Sequence, residues 1–73
     1  MKKMCILGAG GFIGSHLVKK LKNLNYWVKG VDIKYLDTNA DEFIIANLTQ
    51  LEEVDKVITN DINEVYKLAV EVV

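Results

Sequence analysis

Apolar and polar positions divide the first half of the chain into a predicted strand, a helix and a second strand. Residues 3–7 (KMCIL) are almost continuously apolar, which is typical of a strand covered on both faces. From Phe12 to Leu24, apolar residues recur every three or four positions and lysines occupy the other side, which predicts an amphipathic helix. The apolar positions of that helix are Ile13, Leu17, Leu21 and Leu24. Residues 26–32 (YWVKGVD) are aromatic and β-branched, and they predict the second strand.

The second half of the chain repeats this alternation after a polar connection at residues 34–42. Residues 43–46 (FIIA) are predicted to form a short buried strand, and residues 49–52 (TQLE) match a capping box that opens a second helix. Residues 64–73 (EVYKLAVEVV) are predicted to form a final strand. The order β-α-β-β-α-β predicts an α/β fold with a parallel sheet of about four strands, two main helices and right-handed crossovers.

Three glycines lie three positions apart between the first strand and the first helix. Gly8 allows the chain to turn sharply off the strand, Gly11 allows the backbone to approach a pyrophosphate, and Gly14 allows the helix to pack against the sheet. The backbone N–H groups around Phe12 and Ile13 would then point at the ligand, where the helix dipole favours negative charge. The spacing fits GxxGxxG and predicts a phosphate-binding loop.

An acidic residue ends the second strand at the distance that such a loop requires. Asp32 follows Gly14 by 18 residues, close to the ~20 expected for the carboxylate that binds the ribose hydroxyls of a dinucleotide. The strand, the glycine loop, the helix and this acid together indicate a dinucleotide site. The alternative interpretation, a glycine turn with only a structural role, stays open at this point.

The composition limits the chain to one small domain. Its 73 residues are enough for a single unit, and its one cysteine, Cys5, permits no intrachain disulfide and is expected to be an inert buried thiol. Nine lysines against ten acidic residues, with no arginine, give no footprint for nucleic-acid binding. No apolar run approaches the ~20 residues that a membrane span requires, so we expect a soluble cytoplasmic protein without nucleic-acid or membrane partners.

The segment GAGGFIGSHLVKKL…VKGVD resembles the N-terminus of the NAD-dependent epimerase/dehydratase family of extended short-chain dehydrogenases/reductases. The continuation DEFIIANLTQLEEVDKVITNDINEVYKLA resembles the matching stretch of its GDP-mannose 3,5-epimerase-like members. The resemblance covers residues 3 to 69 and only the N-terminal part of such an enzyme. It implies a single truncated NAD(P)-binding Rossmann domain over residues 1–73, a minimal Rossmann half with strand order 3-2-1-4.

The resemblance also implies which residues contact the cofactor. Asp32 would bind the adenosine ribose with Lys34 beside it, and Asn47 stands where the family usually has an aspartate that contacts adenine. The predicted cofactor-binding residues are Gly8, Gly11, Phe12, Ile13, Gly14, Asp32, Lys34, Asn47 and Leu48. NAD is expected to bind better than NADP, because Asp32 would face the 2′-phosphate and the chain has no arginine to neutralise it.

The chain offers no catalytic set of its own. The family's reaction requires a tyrosine followed four residues later by a lysine, and no tyrosine of this sequence has a lysine at that spacing. His16, the single histidine, is expected to be a helix residue without a role in proton transfer. We therefore predict no catalytic residues and no metal ligands, and whether the chain takes part in an enzyme stays open.

Three functions are compatible with these observations. The first is a module that binds NAD or an adenine nucleotide and performs no chemistry alone. The second is the N-terminal part of a split epimerase or dehydratase, active only with a companion chain. The third is an interaction protein that keeps the fold and has lost the ligand.

The final predicted strand also suggests an interaction between two copies of the chain. Residues 65–73 (VYKLAVEVV) are β-branched and nearly uncharged, and an uncovered edge strand of this kind tends to pair with another chain. We expect a homodimer in which two final strands pair antiparallel about a two-fold axis near Ala69. Lys67 of each copy would then lie opposite Glu71 of the other.

Overall fold

The computed structural model describes residues 1–69 of the chain. The elements are β1 (Lys3–Leu7), α1 (Phe12–Asn23), β2 (Trp27–Asp32), β3 (Glu42–Ile45), α2 (Leu51–Val57) and β4 (Glu64–Lys67). The four strands form one sheet in the order β3-β2-β1-β4, and every neighbouring pair is parallel. The α/β fold with strand order 3-2-1-4 and two main helices is therefore confirmed.

The central strand β1 is covered on both faces, which explains its continuous apolar run. Side chains on one face of the sheet pack with α1, in a cluster of Met4, Ile6, Ala9, Val18, Leu21 and Val28. Side chains on the other face pack with α2, in a cluster of Cys5, Leu7, Val31, Ala46, Leu48, Val54 and Val57. Alternate residues of β1 serve the two clusters, as the two-residue period of a strand requires.

Gly14 sets the rotation of α1 about its axis, and this overturns part of the predicted apolar face. A Cβ at Gly14 would overlap the carbonyl oxygen of Gly8 and lie 2.8 Å from the Cα of Ala9, so the helix rests directly on the backbone of the loop. The buried residues of α1 are consequently Gly14, Val18 and Leu21. Ile13 and Leu24, predicted to face the core, are 69% and 52% exposed.

The predicted capping box at residues 49–52 is wrong. Helix α2 begins at Leu51 after Gln50, and no side chain caps its first turn. The Thr49 hydroxyl instead donates to Asn47 Oδ1 at 2.6 Å, and Glu53 accepts the backbone N–H of Asn47 at 2.9 Å. The Thr49 hydroxyl is therefore bound to Asn47 and does not cap the helix, which begins one residue later than the capping box predicts. The acid that accepts a backbone N–H ahead of the helix is Glu53, not Glu52.

The final strand is shorter than predicted within the described residues. β4 ends at Lys67, and the backbone N–H groups of Leu68 and Ala69 both donate to the carbonyl oxygen of Leu7, at 2.9 and 3.1 Å. The ladder stops there because β1 itself ends at Leu7, where Gly8 turns the chain away. The remainder of the predicted strand, residues 70–73, lies outside the described residues.

A buried lysine that sequence patterning did not reveal ties β2 to the end of α2. Lys29 is 5% exposed, and its ammonium donates to the carbonyl oxygen of Val57 at 3.0 Å and lies 3.7 Å from Glu42 Oε1. A buried charge requires such partners, and a cation suits the negative end of a helix dipole. Burial raises the pKa of the neighbouring Cys5 thiol to about 11, although the charge of Lys29 opposes this, so the thiol stays protonated at neutral pH.

Asp41 anchors the long connection between β2 and β3. Its carboxylate accepts hydrogen bonds from the Lys22 ammonium at 2.8 Å and from the backbone N–H of Val28 at 2.7 Å. Desolvation alone would raise the pKa of Asp41, but the hydrogen bonds from Lys22 and Val28 and the charge of Lys22 outweigh it and hold the pKa below its usual value. The connection is thereby fastened to the end of α1 on one side and to β2 on the other.

The contact at Gly14 gives a stability prediction with a matched control. Gly14→Ala should lower the free energy of unfolding by about 1–3 kcal/mol or more, because the new Cβ meets rigid backbone rather than a flexible side chain. Gly11→Ala is the control, since the nearest atom to its Cβ is the Gly8 carbonyl oxygen at 3.6 Å, an ordinary contact distance. Urea unfolding followed by circular dichroism measures both, and equal stability of the two variants would contradict this account of helix packing.

Candidate functional site

The loop between β1 and α1 is held against the end of β2. Gly8 has φ of 100°, in the left-handed region that favours glycine, and its Cβ would lie 2.8 Å from the backbone nitrogen of Ala69. The backbone N–H groups of Gly8 and Ala9 both donate to the carbonyl oxygen of Val31, at 2.7 and 3.1 Å. The loop is thus a rigid extension of the sheet at the carboxyl ends of the strands.

The first turn of α1 presents backbone donors that have no protein partner in the described residues. Gly11 occupies the N-cap position and has no side chain to accept them, and the first turn contains no acidic residue. The structure gives no acceptor within residues 1–69 for the N–H groups of Phe12, Ile13 or Gly14. Free donors at the positive end of a helix dipole make this turn suited to an anion.

Asp32, the last residue of β2, lies directly beside the loop. Its Oδ2 accepts the backbone N–H of Gly10 at 2.8 Å, and its Oδ1 accepts the backbone N–H of Ile33 at 2.6 Å. A Cβ at Gly10 would lie 2.9 Å from Asp32 Oδ2, so glycine at this position leaves the space that the carboxylate occupies. The Gly10 contact was not predicted, although Gly10 itself was the available signal, because it is the one loop glycine outside the three-residue spacing.

Two cavities share Asp32 as a lining residue. The first is an open cleft of about 410 Å³, lined by Gly10, Gly11, Asp32, Ile33, Lys34, Tyr35 and Leu36. The second has a volume of about 160 Å³ and is lined by Asp32, Ile33, Ala46, Asn47, Leu48, Thr49 and Ala69. Asp32 and Ile33 line both, so the two cavities adjoin at the end of β2.

The predicted site residues fall into three groups in the structure. Gly11, Asp32 and Lys34 line the larger cleft, and Asn47 and Leu48 line the smaller cavity together with Asp32. Gly8 and Gly14 are not among the lining residues of either cavity; Gly8 turns the chain after β1, and Gly14 allows α1 to pack on the loop. The Phe12 and Ile13 side chains are 81% and 69% exposed at the start of α1. Lining residues not predicted are Gly10, Ile33, Tyr35, Leu36, Ala46, Thr49 and Ala69.

The other chemically active side chains of the described chain lie apart from these cavities or in structural roles. The His16 ring packs edge-on against Phe12, with 4.6 Å between the ring centres. Within residues 1–69, no group of three or more histidine, cysteine, aspartate or glutamate residues is placed to hold a metal ion. In the same part of the chain, no helix is long and apolar enough to cross a membrane.

Sequence comparison relates the chain to nucleotide-sugar epimerases. It is 38% identical over 72 residues to GDP-mannose 3,5-epimerase of Arabidopsis thaliana, which covers 92% of this chain and 19% of that protein. GDP-mannose 3,5-epimerase 1 of Oryza sativa subsp. japonica is 35% identical over 72 residues, with the same coverage of 92% and 19%. The chain therefore spans about a fifth of the length of the curated relatives it matches.

Solved structures show the same relationship. UDP-N-acetylglucosamine 4-epimerase from Bacillus cereus superposes with a TM-score of 0.77 at 25% identity, over 94% of this chain and 24% of that one. MoeE5 in complex with UDP-glucuronic acid and NAD superposes with a TM-score of 0.76 at 40% identity, over 92% of this chain and 22% of that one. The sequence profile of the NAD dependent epimerase/dehydratase family matches residues 4–73. The chain belongs to the NAD-dependent epimerase/dehydratase family.

Proposed function

We propose that this chain binds NAD through the adenosine and diphosphate parts of the cofactor and performs no chemistry by itself. The observation that carries the proposal is the position of Asp32, which lines two adjoining cavities and accepts a hydrogen bond from Gly10 of the glycine loop. A nucleotide has the same order of parts, with a ribose between a phosphate group and a base. The carboxylate would bind the ribose, and the cavities would hold the groups on either side of it.

The diphosphate would be bound by backbone groups at the start of α1. The free N–H groups of Phe12 and Ile13 and the helix dipole favour an anion, which compensates for the absence of arginine from the chain. Gly11 supports this placement because, among the described residues, a Cβ there would come within 4 Å only of the Gly8 carbonyl oxygen, at 3.6 Å. The missing side chain leaves room for phosphate oxygens to approach the backbone, with Lys34 on the rim of the same cleft.

Asp32 would select NAD over NADP. Each carboxylate oxygen already accepts one backbone N–H and retains a lone pair for a ribose hydroxyl. A 2′-phosphate in place of a hydroxyl would bring negative charge against this carboxylate. Lys34 is the one cation among the described residues that line either cavity, and it shares the larger cleft with Asp32. NADP binding is therefore expected to be weaker.

Similarity to longer proteins supports a second candidate function. MoeE5 was solved with NAD and UDP-glucuronic acid, and the curated relatives are named as epimerases of GDP-mannose. The same segment would then serve as the cofactor-binding part of a nucleotide-sugar epimerase or dehydratase, with the Tyr-x-x-x-Lys pair supplied by a companion chain. Failure of any adenine nucleotide to bind would instead favour an interaction protein that has lost the ligand.

We also propose a cytoplasmic location for the chain, which is consistent with the unpaired thiol of its single cysteine, Cys5.

Replacement of Asp32 tests the ribose assignment. The natural chain should bind NAD more tightly than NADP in isothermal titration calorimetry. Asp32→Asn should weaken NAD by about tenfold and narrow its advantage over NADP, since hydrogen bonds to a charged group are worth about 1.5–3 kcal/mol each. Asp55→Asn is the control, because Asp55 is an exposed residue of α2 and lines neither cavity. Equal affinities of NAD and NADP for the natural chain would contradict the role of Asp32.

We also propose that two copies of the chain associate through their final strands. β4 pairs with β1 along one edge, and no strand of residues 1–69 pairs with its other edge. Exposed strand edges tend to pair with another chain. In a two-fold dimer the β4 edges of the two copies would pair with each other, so no further copy could add at that edge. The proposal uses β4 together with residues 70–73, whose sequence is apolar and β-branched around Glu71.

Light scattering at micromolar concentration tests this association and should give the mass of a dimer. Lys67→Glu should weaken the dimer, because it would place like charges opposite each other where Lys67 is expected to meet Glu71 of the second copy. Lys19→Glu makes the same charge change at an exposed position of α1 and should leave the mass unchanged. A monomer for the natural chain would contradict the proposal.

A further inference from the structure

Under the proposed function, on which this inference rests, the base of a bound nucleotide lies in the smaller cavity beside Asp32. The diphosphate would occupy the cleft next to Gly11, and the ribose would meet Asp32. The base would then enter the second cavity that Asp32 lines, where Asn47, Leu48 and Thr49 are also lining residues. The polar groups of these three residues therefore decide which base edge is bound.

The orientation of the Asn47 amide is fixed by chemistry. The backbone N–H of Thr49 lies 3.0 Å from one terminal atom of the Asn47 side chain, and a backbone N–H can only donate. That atom must be the oxygen, Oδ1, because an amide nitrogen cannot accept. The Thr49 hydroxyl lies 2.6 Å from the same atom and must also be its donor. The opposite assignment of the amide oxygen and nitrogen is therefore excluded.

These two hydrogen bonds saturate the Asn47 oxygen and leave only its nitrogen for a ligand. An amide oxygen has two lone pairs, and the two donors of Thr49 occupy both. The structure gives Asn47 Nδ2 no acceptor among the described residues, and no buried side-chain polar atom in that part of the chain lacks a partner. Nδ2 is therefore accessible, and it offers donors alone.

The neighbouring backbone adds a second donor. The N–H of Leu48 has no acceptor among residues 1–69, whereas the N–H groups on either side of it are bound to Glu53 and to Asn47 Oδ1. Leu48 itself is buried and lines the cavity. Asn47 and Leu48 both line this cavity, so Asn47 Nδ2 and Leu48 N are donors on consecutive residues that its wall can offer to a base.

Two neighbouring donors complement a purine edge that carries two neighbouring acceptors. Guanine and hypoxanthine have such an edge in O6 and N7, whereas adenine has the N6 amino donor beside N7. An asparagine reads adenine when its oxygen accepts from N6 and its nitrogen donates to N7. Asn47 lacks the first of these capabilities because Thr49 occupies its oxygen.

We propose that Asn47, locked by Thr49, makes the base site a donor-only edge, so that this chain binds a 6-oxopurine nucleotide at least as tightly as the adenine nucleotide. Asn47 is thereby a specificity-determining residue of the proposed site. The roles of Asp32 and of the α1 N-terminus are the same for both bases, because ADP and IDP share the ribose and the diphosphate.

A comparison of ADP with IDP tests the proposal, since the two nucleotides differ only in the purine ring at its C6 and N1 positions. Calorimetry on the natural chain should show IDP binding at least as tightly as ADP. Asn47→Asp replaces Nδ2 with an accepting oxygen and should shift the ratio of the two dissociation constants toward ADP by about tenfold. The added negative charge weakens both diphosphates alike, so the ratio isolates the effect at the base.

Asn60→Asp is the matched control, because it adds the same charge at an exposed turn that lines neither cavity. It should leave the ADP-to-IDP ratio unchanged. Tighter binding of ADP than of IDP by the natural chain, or an unchanged ratio in Asn47→Asp, would overturn the base assignment while leaving nucleotide binding intact. Absence of binding by both nucleotides would overturn the proposed function and this inference with it.

Discussion

Helix α1 rests on the backbone of the β1–α1 loop with no side chain between them, and the geometry of the candidate site follows from this contact. A Cβ at Gly14 would overlap the Gly8 carbonyl oxygen, so the helix axis lies closer to the loop than any other residue would permit. The close approach fixes the rotation of α1 and the position of its first turn. The free N–H groups of that turn are consequently held at the carboxyl ends of the strands, next to Asp32.

Asp32 links the packed loop to the candidate binding surface. Its two carboxylate oxygens accept backbone N–H groups from Gly10 on one side and Ile33 on the other, so the loop and the end of β2 form one unit. Asp32 also lines both of the adjoining cavities. A group that stabilises the protein in this way is positioned before any ligand arrives, which lowers the ordering cost of binding.

The sequence was sufficient to predict those features that depend on local pattern. The alternation of strands and helices led to the parallel α/β fold, and the glycine spacing with the acid at the end of β2 led to Asp32 beside the loop. The strand order followed from the family resemblance. Features set by packing between distant segments could not be predicted in this way. Periodicity assigned Ile13 to the core, because it cannot show that Gly14 determines which face of the helix meets the sheet.

Polar groups whose partners are distant or in competition were equally hidden. Lys29 appeared as an ordinary strand residue, yet its ammonium is buried against the carbonyl oxygen of Val57, 28 positions away. The residues of the expected capping box were present, but the Thr49 hydroxyl donates to Asn47 Oδ1 and therefore does not cap the helix. In both cases the outcome depends on which partner lies nearest in the folded chain, and a spacing rule contains no such information.

The central claim, that a nucleotide lies across the start of α1 and Asp32, is tested most directly by NMR titration of the ¹⁵N-labelled chain with ADP. The account predicts saturable shifts at the backbone amides of Gly10, Gly11, Phe12, Ile13, Ile33 and Leu48. Amides at the opposite end of the sheet, such as those of Trp27 and Asn63, should stay in place. Shifts confined to that opposite end, or none at millimolar ADP, would contradict it.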